Sequence, residues 1–124
     1  MKLHQTDFDR AVKRAIGRIP KEIRRHLDNV LISVRRRPSR NMMKEFGFYP
    51  NDPPLGLYVG TAMTERTPLY PPLYPDTIYI FQEPLEDMCH TLEELEEQIE
   101  ITVVHEIAHF IGISEERLVE LGYG

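Results

Sequence analysis

The residues best suited to do chemistry lie near the C-terminal end of the sequence, in the run His105-Glu106-Ile107-Ala108-His109. On an α-helix, residues four apart lie on one face about 6 Å from each other, so His105 and His109 can each turn a ring nitrogen toward a single ion about 2 Å away. Glu106 is about 100° further round the helix. That puts its carboxylate beside the ion instead of on it, where it can take a proton from a zinc-activated water. The chemistry implied is metal-assisted hydrolysis. The plainer alternative is a pair of histidines satisfied by structural hydrogen bonds, with Glu106 merely solvated.

A site of this kind needs a firm helix beneath it. Thr91-Leu92-Glu93-Glu94 reads as a capping box, with Thr91 as N-cap and Glu94 at the third helical position. Leu92, Leu95, Ile99, Val103 and Phe110 then recur near helical spacing, which predicts one buried side on a helix of about 20 residues. Gly112, three residues after His109, allows that helix to end in a left-handed turn and the chain to double back.

With the glycine in place, the pattern His105-Glu106-x-x-His109-x-x-Gly112-x-x-Glu115 resembles the zinc signature of the metzincin clan of metallopeptidases, whose last ligand is usually His. The acidic residue makes it look like a small bacterial family of zincin-like metallopeptidases, often described as minimal metalloproteases. The resemblance is specific over residues 76–121 and looser upstream. It implies zinc as the cofactor, Glu115 as the third ligand beside His105 and His109, and Glu106 as the general base. Carboxylate is a legitimate zinc ligand. Glu116, Glu120 and His90 are the other donors available, and Glu115 also has a structural role, since Ser114 is a good N-cap and carboxylates in a first turn complement the helix dipole. Metzincins carry a methionine turn after the motif. Here the methionines are Met1, Met42, Met43, Met63 and Met88, all before it.

The rest of the chain reads as one globular domain of 124 residues, 41% hydrophobic and 28% charged. Asp7, Asp9, Lys13 and Arg14 interrupt the region where a signal peptide would be apolar, and no run is long enough to span a membrane. The single Cys89 cannot form an internal disulfide, and the expectation is a cytoplasmic protein in which Cys89 is a small apolar filler. Residues 1–40 carry 12 Lys and Arg against 4 acids, and residues 41–124 carry 3 against 16. Such asymmetry can mark a nucleic-acid surface, but no nucleic-acid motif accompanies it. The better expectation sets the basic N-terminal helices against the acidic helix of Glu93, Glu94, Glu96, Glu97 and Glu100.

Thr6 with Asp9 predicts the start of a first helix, with Phe8, Ala11, Val12, Ala15, Ile16 and Ile19 facing the core. Pro20 begins a second, through Ile23 and Leu27. Val30–Val34 reads as a central strand, 40–46 as a turn of helix, Leu55–Thr61 as a second strand and Asp76–Phe81 as a third. Residues 62–75 read as a proline-stiffened connection, and 82–89 as a lead-in to the motif helix. The order predicts an α+β fold, a small mixed β-sheet packed on the long zinc-site helix. In such a fold an extended peptide can pair with a sheet edge and present its carbonyl to the metal, so the expected partner is a peptide or protein substrate. Tyr70, Tyr74, Arg66, His90 and Tyr123 are the candidate oxyanion donors by chemistry.

Overall fold

The computed structural model describes residues 1–60 and 76–124. Arg66, Tyr70, Tyr74 and the expected strand end at Thr61 lie outside the described residues.

The first helix, α1, spans Gln5–Gly17 and buries Phe8, Ala11, Val12 and Ala15. Thr6 does not cap it. The N-cap is His4, whose carbonyl accepts from the amides of Asp7 (3.1 Å) and Phe8 (3.0 Å) while its side chain makes no capping bond. Pro20 sits at the N-cap of α2 (Lys21–Arg24), and a 3₁₀ turn over Arg25–Leu27 completes the segment, with Ile19, Ile23 and Leu27 buried.

Among the described residues, three strands follow, interleaved with helices: β1 (Leu31–Arg35), α3 (Arg40–Glu45), β2 (Gly56–Val59), β3 (Thr77–Phe81), α4 (Gln82–Met88), α5 (Leu92–Ile111) and α6 (Glu115–Glu120). The sheet order is β1-β3-β2, with β1 parallel and β2 antiparallel to β3. The small mixed sheet and the long helix make the fold α+β, as expected. The expectation of a central first strand is corrected, because β3 holds the centre. Its Ile78, Ile80 and Phe81 are fully buried, whereas Leu31 at the start of β1 is 52% exposed, so the more continuously apolar strand occupies the middle. The lead-in at 82–89 is also more regular than expected. It forms α4, in whose first turn Pro84 removes no helical hydrogen bond, and it buries Leu85 and Glu86. The Glu86 carboxylate accepts from the Leu3 amide (2.7 Å) and from the Gln82 side chain (3.2 Å).

The motif helix α5 is capped as its sequence dictates, with Thr91 Oγ1 accepting from the Glu94 amide (3.1 Å). The Glu94 carboxylate reaches back one residue further than a capping box requires, to the amide of His90 (3.0 Å). Leu95, Ile99, Thr102, Val103, Val104, Ile107 and Ala108 are buried. Leu92 and Phe110, expected inside, are each 43% exposed. The helix lies between α1 and the sheet, so its middle is covered on more than one side and its two ends project. Against α1 the charge complementarity is realised: Arg14 pairs with Glu96, and Arg18 with Glu96 (3.8 Å) and Glu100 (3.0 Å). Among the described residues, no helix is long and apolar enough to cross a membrane.

Candidate active site

Thr102, Glu106 and Phe110 are spaced by four and form one stripe along α5, and strand β2 runs beside it. A Cβ on Gly56 would lie 2.6 Å from Thr102 Cγ2, 2.9 Å from the Tyr79 carbonyl oxygen and 3.9 Å from Glu106 Cγ. Only glycine lets the strand come this close to the helix. Two residues on, the Tyr58 amide donates to Glu106 Oε1 (2.8 Å), and the Tyr58 ring stacks on Phe110 with centroids 4.4 Å apart. The Tyr58 hydroxyl donates to Asp76 Oδ2 (2.7 Å), which ties the ring to the start of β3.

Glu106 is therefore held, not solvated. It is half-buried, and loss of hydration pushes its carboxyl above the ordinary glutamate range, while the Tyr58 amide and the two nearby imidazoles pull it partly back. A carboxylate made more basic in this way and fixed in direction is suited to accept a proton. The Tyr58 amide is spent on this bond. A peptide cannot pair with β2 through that amide while the bond stands.

His105 and His109 follow one position behind that stripe. His105 is half-buried, and its Nε2 lies 2.8 Å from the backbone carbonyl of Tyr123. His109, in the last turn, is exposed. Gly112 ends α5 at φ +74°, the left-handed turn its position predicts, and the Ile113 amide donates to the Ala108 carbonyl (3.0 Å). Ser114 then caps α6 through a bond from the Arg117 amide (3.1 Å), with Glu115 and Glu116 exposed in its first turn. Past α6, Gly122 turns the chain at φ +92° and Tyr123 folds back onto α5, its hydroxyl donating to Glu100 Oε2 (2.6 Å). Burial and Glu100 both hold that phenol above its usual range.

The pair of imidazoles beside a desolvated carboxylate is a donor set that suits zinc. Among the described residues, no three His, Cys, Asp or Glu side chains come together as a metal-binding group, so Glu115 is not gathered with His105 and His109. Of the other donors considered, His90 stands 15 residues before His105 along α5 and its preceding turn, a separation of about 20 Å at 1.5 Å per residue. Glu120 pairs with Arg117 (2.8 Å). As oxyanion donors, His90 is set aside by the same distance and Tyr123 by its bond to Glu100. Three contributors escaped the sequence reading: Gly56, the Tyr58 amide and the Tyr123 carbonyl. Gly56 carried a signal, since a glycine opening a strand marks close approach of another element. The other two are backbone groups and carry none.

A model of a family described as zincin-like metallopeptidase matches residues 27–124 of this chain. That span begins at the end of the 3₁₀ turn and contains the whole sheet, the motif helix and the returning tail. Among solved structures, a conserved hypothetical protein from Thermo thermophilus is similar in fold, with a TM-score of 0.55 and 16% sequence identity over 94% of this chain and 98% of that one. No curated protein matches.

Proposed function

Because the chain belongs to the zincin-like metallopeptidase family, we propose that it is a zinc-dependent metallopeptidase in which Glu106 is the general base. The observation that carries this reading is the Glu106 carboxylate, desolvated beside two imidazoles and fixed by the Tyr58 amide. His105 and His109 would hold the zinc, with Glu115 as the third donor by its place three residues after Gly112 in the metzincin-type pattern. Zinc there supplies Lewis acidity, polarising a peptide carbonyl and acidifying a water molecule. The chain's own part is proton handling. Glu106, with one oxygen engaged by Tyr58, takes the proton of the attacking water on the other and passes it to the leaving amine. The substrate is a peptide or protein segment. The compartment is the cytoplasm, a reading supported by the unpaired Cys89.

Glu106→Gln tests the assignment, because the amide keeps the shape and can still accept from Tyr58 but cannot take a proton. The variant should retain fold and zinc while cleavage of a broad peptide library, followed by mass spectrometry, falls by about 10²- to 10⁴-fold. Equal activity in the variant would reject Glu106 as base. An inactive wild type that contains zinc would select the second reading, a zinc-binding protein without hydrolysis; this is the reading favoured by the lack of an assigned oxyanion donor among the described residues. Generic unfolded substrates such as casein should be cut poorly.

A further inference from the structure

A second charge pattern is used by neither the candidate site nor the contact between α1 and α5. Residues 35–44 hold five cations, Arg35, Arg36, Arg37, Arg40 and Lys44, and no acid, in a chain whose net charge is −5. Arg35 lies over the Tyr79 ring at 5.7 Å, and Arg36 and Arg37 share the Glu83 carboxylate. Arg40 and Lys44 stand one turn apart on α3, both exposed, and among the described residues neither makes an ion pair or a side-chain hydrogen bond. On a plain surface such a pair would be a solvated face. Here it borders a groove.

Arg40 and Lys44, with Arg37, rim a groove of about 880 Å³ at the end of the sheet where β1 and β3 finish and β2 begins. Its floor is apolar, formed by Pro38, Met43, Phe48 and Pro53. The left-handed turn at Gly47 (φ +77°) builds that floor, because it returns the chain so that the Phe48 amide donates to the Met43 carbonyl (2.8 Å). Prolines and the turn in which the Asp52 amide donates to the Tyr49 carbonyl (3.0 Å) stiffen the segment that follows, so a ligand loses little in ordering it. Phe46 and Tyr49, on either side of Phe48 in the chain, are 40% and 74% exposed, aromatic side chains of the kind that interfaces favour. Asp87 is the one acid of the lining, against three cations.

We infer that this groove docks an acidic peptide segment that also carries apolar side chains. The carboxylates of the segment pair with Arg37, Arg40 and Lys44, and its apolar side chains rest on Met43, Phe48 and the prolines. Charge complementarity selects this occupant: the net charge of −5 repels an acidic chain from the molecule as a whole and leaves it drawn to the place where cations exceed acids. The apolar floor favours a peptide over a nucleic acid, whose phosphates would leave that floor uncovered. The contact between Tyr58 and Glu106 lies toward the other end of β2, so docking here leaves the proposed base open. Docking requires neither zinc nor hydrolysis.

Fluorescence anisotropy on the full chain tests this, with labelled short peptides of alternating Glu and Leu, matching peptides of alternating Glu and Ser, and a labelled single-stranded oligothymidine. The Glu/Leu peptide should bind, more weakly as salt rises, and should shift the amide resonances of α3 and of residues 46–53. Charge reversal in the double variant Arg40→Glu, Lys44→Glu removes no side-chain contact among the described residues, so the melting temperature should hold. Its affinity for the Glu/Leu peptide should fall about tenfold or more, since like charges then face each other. The Glu/Ser peptide should bind about tenfold more weakly than the Glu/Leu one, having nothing apolar to set on the floor. Chelation of zinc should change none of this. A Glu/Leu peptide that does not bind, that binds the double variant equally well, or that is matched by the Glu/Ser peptide would overturn the inference. Oligothymidine bound as tightly as the peptide would make the patch a phosphate-binding surface instead, and binding lost on chelation would place the peptide at the zinc site; either result also overturns it. A wild type without zinc or hydrolysis counts against the metallopeptidase reading alone, because the anisotropy still decides whether the groove binds.

Discussion

Between Leu92 and Ile101, α5 is held mainly by α1: Leu95 and Ile99 are fully buried with Phe8, Ala11 and Ala15 in one core, and Arg14 and Arg18 reach across to Glu96 and Glu100. Between Thr102 and Ile111 the same helix still buries Val103, Val104, Ile107 and Ala108, but its remaining faces are held by polar and aromatic contacts. Glu106 takes the Tyr58 amide, His105 the Tyr123 carbonyl, and Phe110 the Tyr58 ring. The first half supplies stability through apolar burial. The second engages individual groups, and it does so through backbone atoms of the flanking elements, so a substitution elsewhere can misplace them without touching the motif.

If this division holds, the two halves should respond differently to mutation. The largest effect on stability is expected from Ile99→Ala, which empties a fully buried core position on α5; denaturant unfolding should show a loss of about 2–5 kcal/mol. Because it leaves the β2 and Tyr123 contacts in place, any protein that remains folded should keep its affinity for zinc. Gly56→Ala is the reverse case. Its Cβ would meet Thr102 Cγ2 at 2.6 Å and the Tyr79 carbonyl at 2.9 Å, and since one of these is backbone the strand must shift. Overpacking of this kind costs about 1–3 kcal/mol, and the displacement of Tyr58 from Glu106 should slow peptide hydrolysis by more than the stability change explains. Unchanged cleavage in folded Gly56→Ala would mean that the Tyr58 amide does not position the base. The smallest effect belongs to the ion pairs on α1: replacing both Arg14 and Arg18 by Ala should cost no more than about 1 kcal/mol per pair, because the arginine side chains are nearly half exposed and screened. A larger loss would show that charge, as well as apolar burial, holds the first half.

This contrast also explains what could be read from the sequence. Side-chain patterns announced the first half: the Thr91 cap, the Leu95–Ile99–Val103 spacing and the basic and acidic segments that meet across α1 and α5. Gly112 announced the helix end. The motif itself named His105, Glu106 and His109. Periodicity misplaced Leu92 and Phe110, because it cannot distinguish a helix covered along its whole length from one covered in the middle, and Phe110 instead stacks on Tyr58 at the surface. The central position of β3 depended on a comparison of two short apolar runs, and the longer run of fully buried residues in Thr77–Phe81 decided it. The Tyr58 amide and the Tyr123 carbonyl were beyond reach, since any residue at those positions supplies the same atoms.

The central claim is that the second half of α5 is a zinc centre built on His105 and His109, and elemental analysis tests it most directly. Protein without a histidine tag, purified without added metal, should contain one zinc per chain, and His105→Ala and His109→Ala, each confirmed folded by circular dichroism, should contain almost none. Wild-type zinc content in either folded variant, or a wild type without zinc that takes none up on titration, would contradict the account.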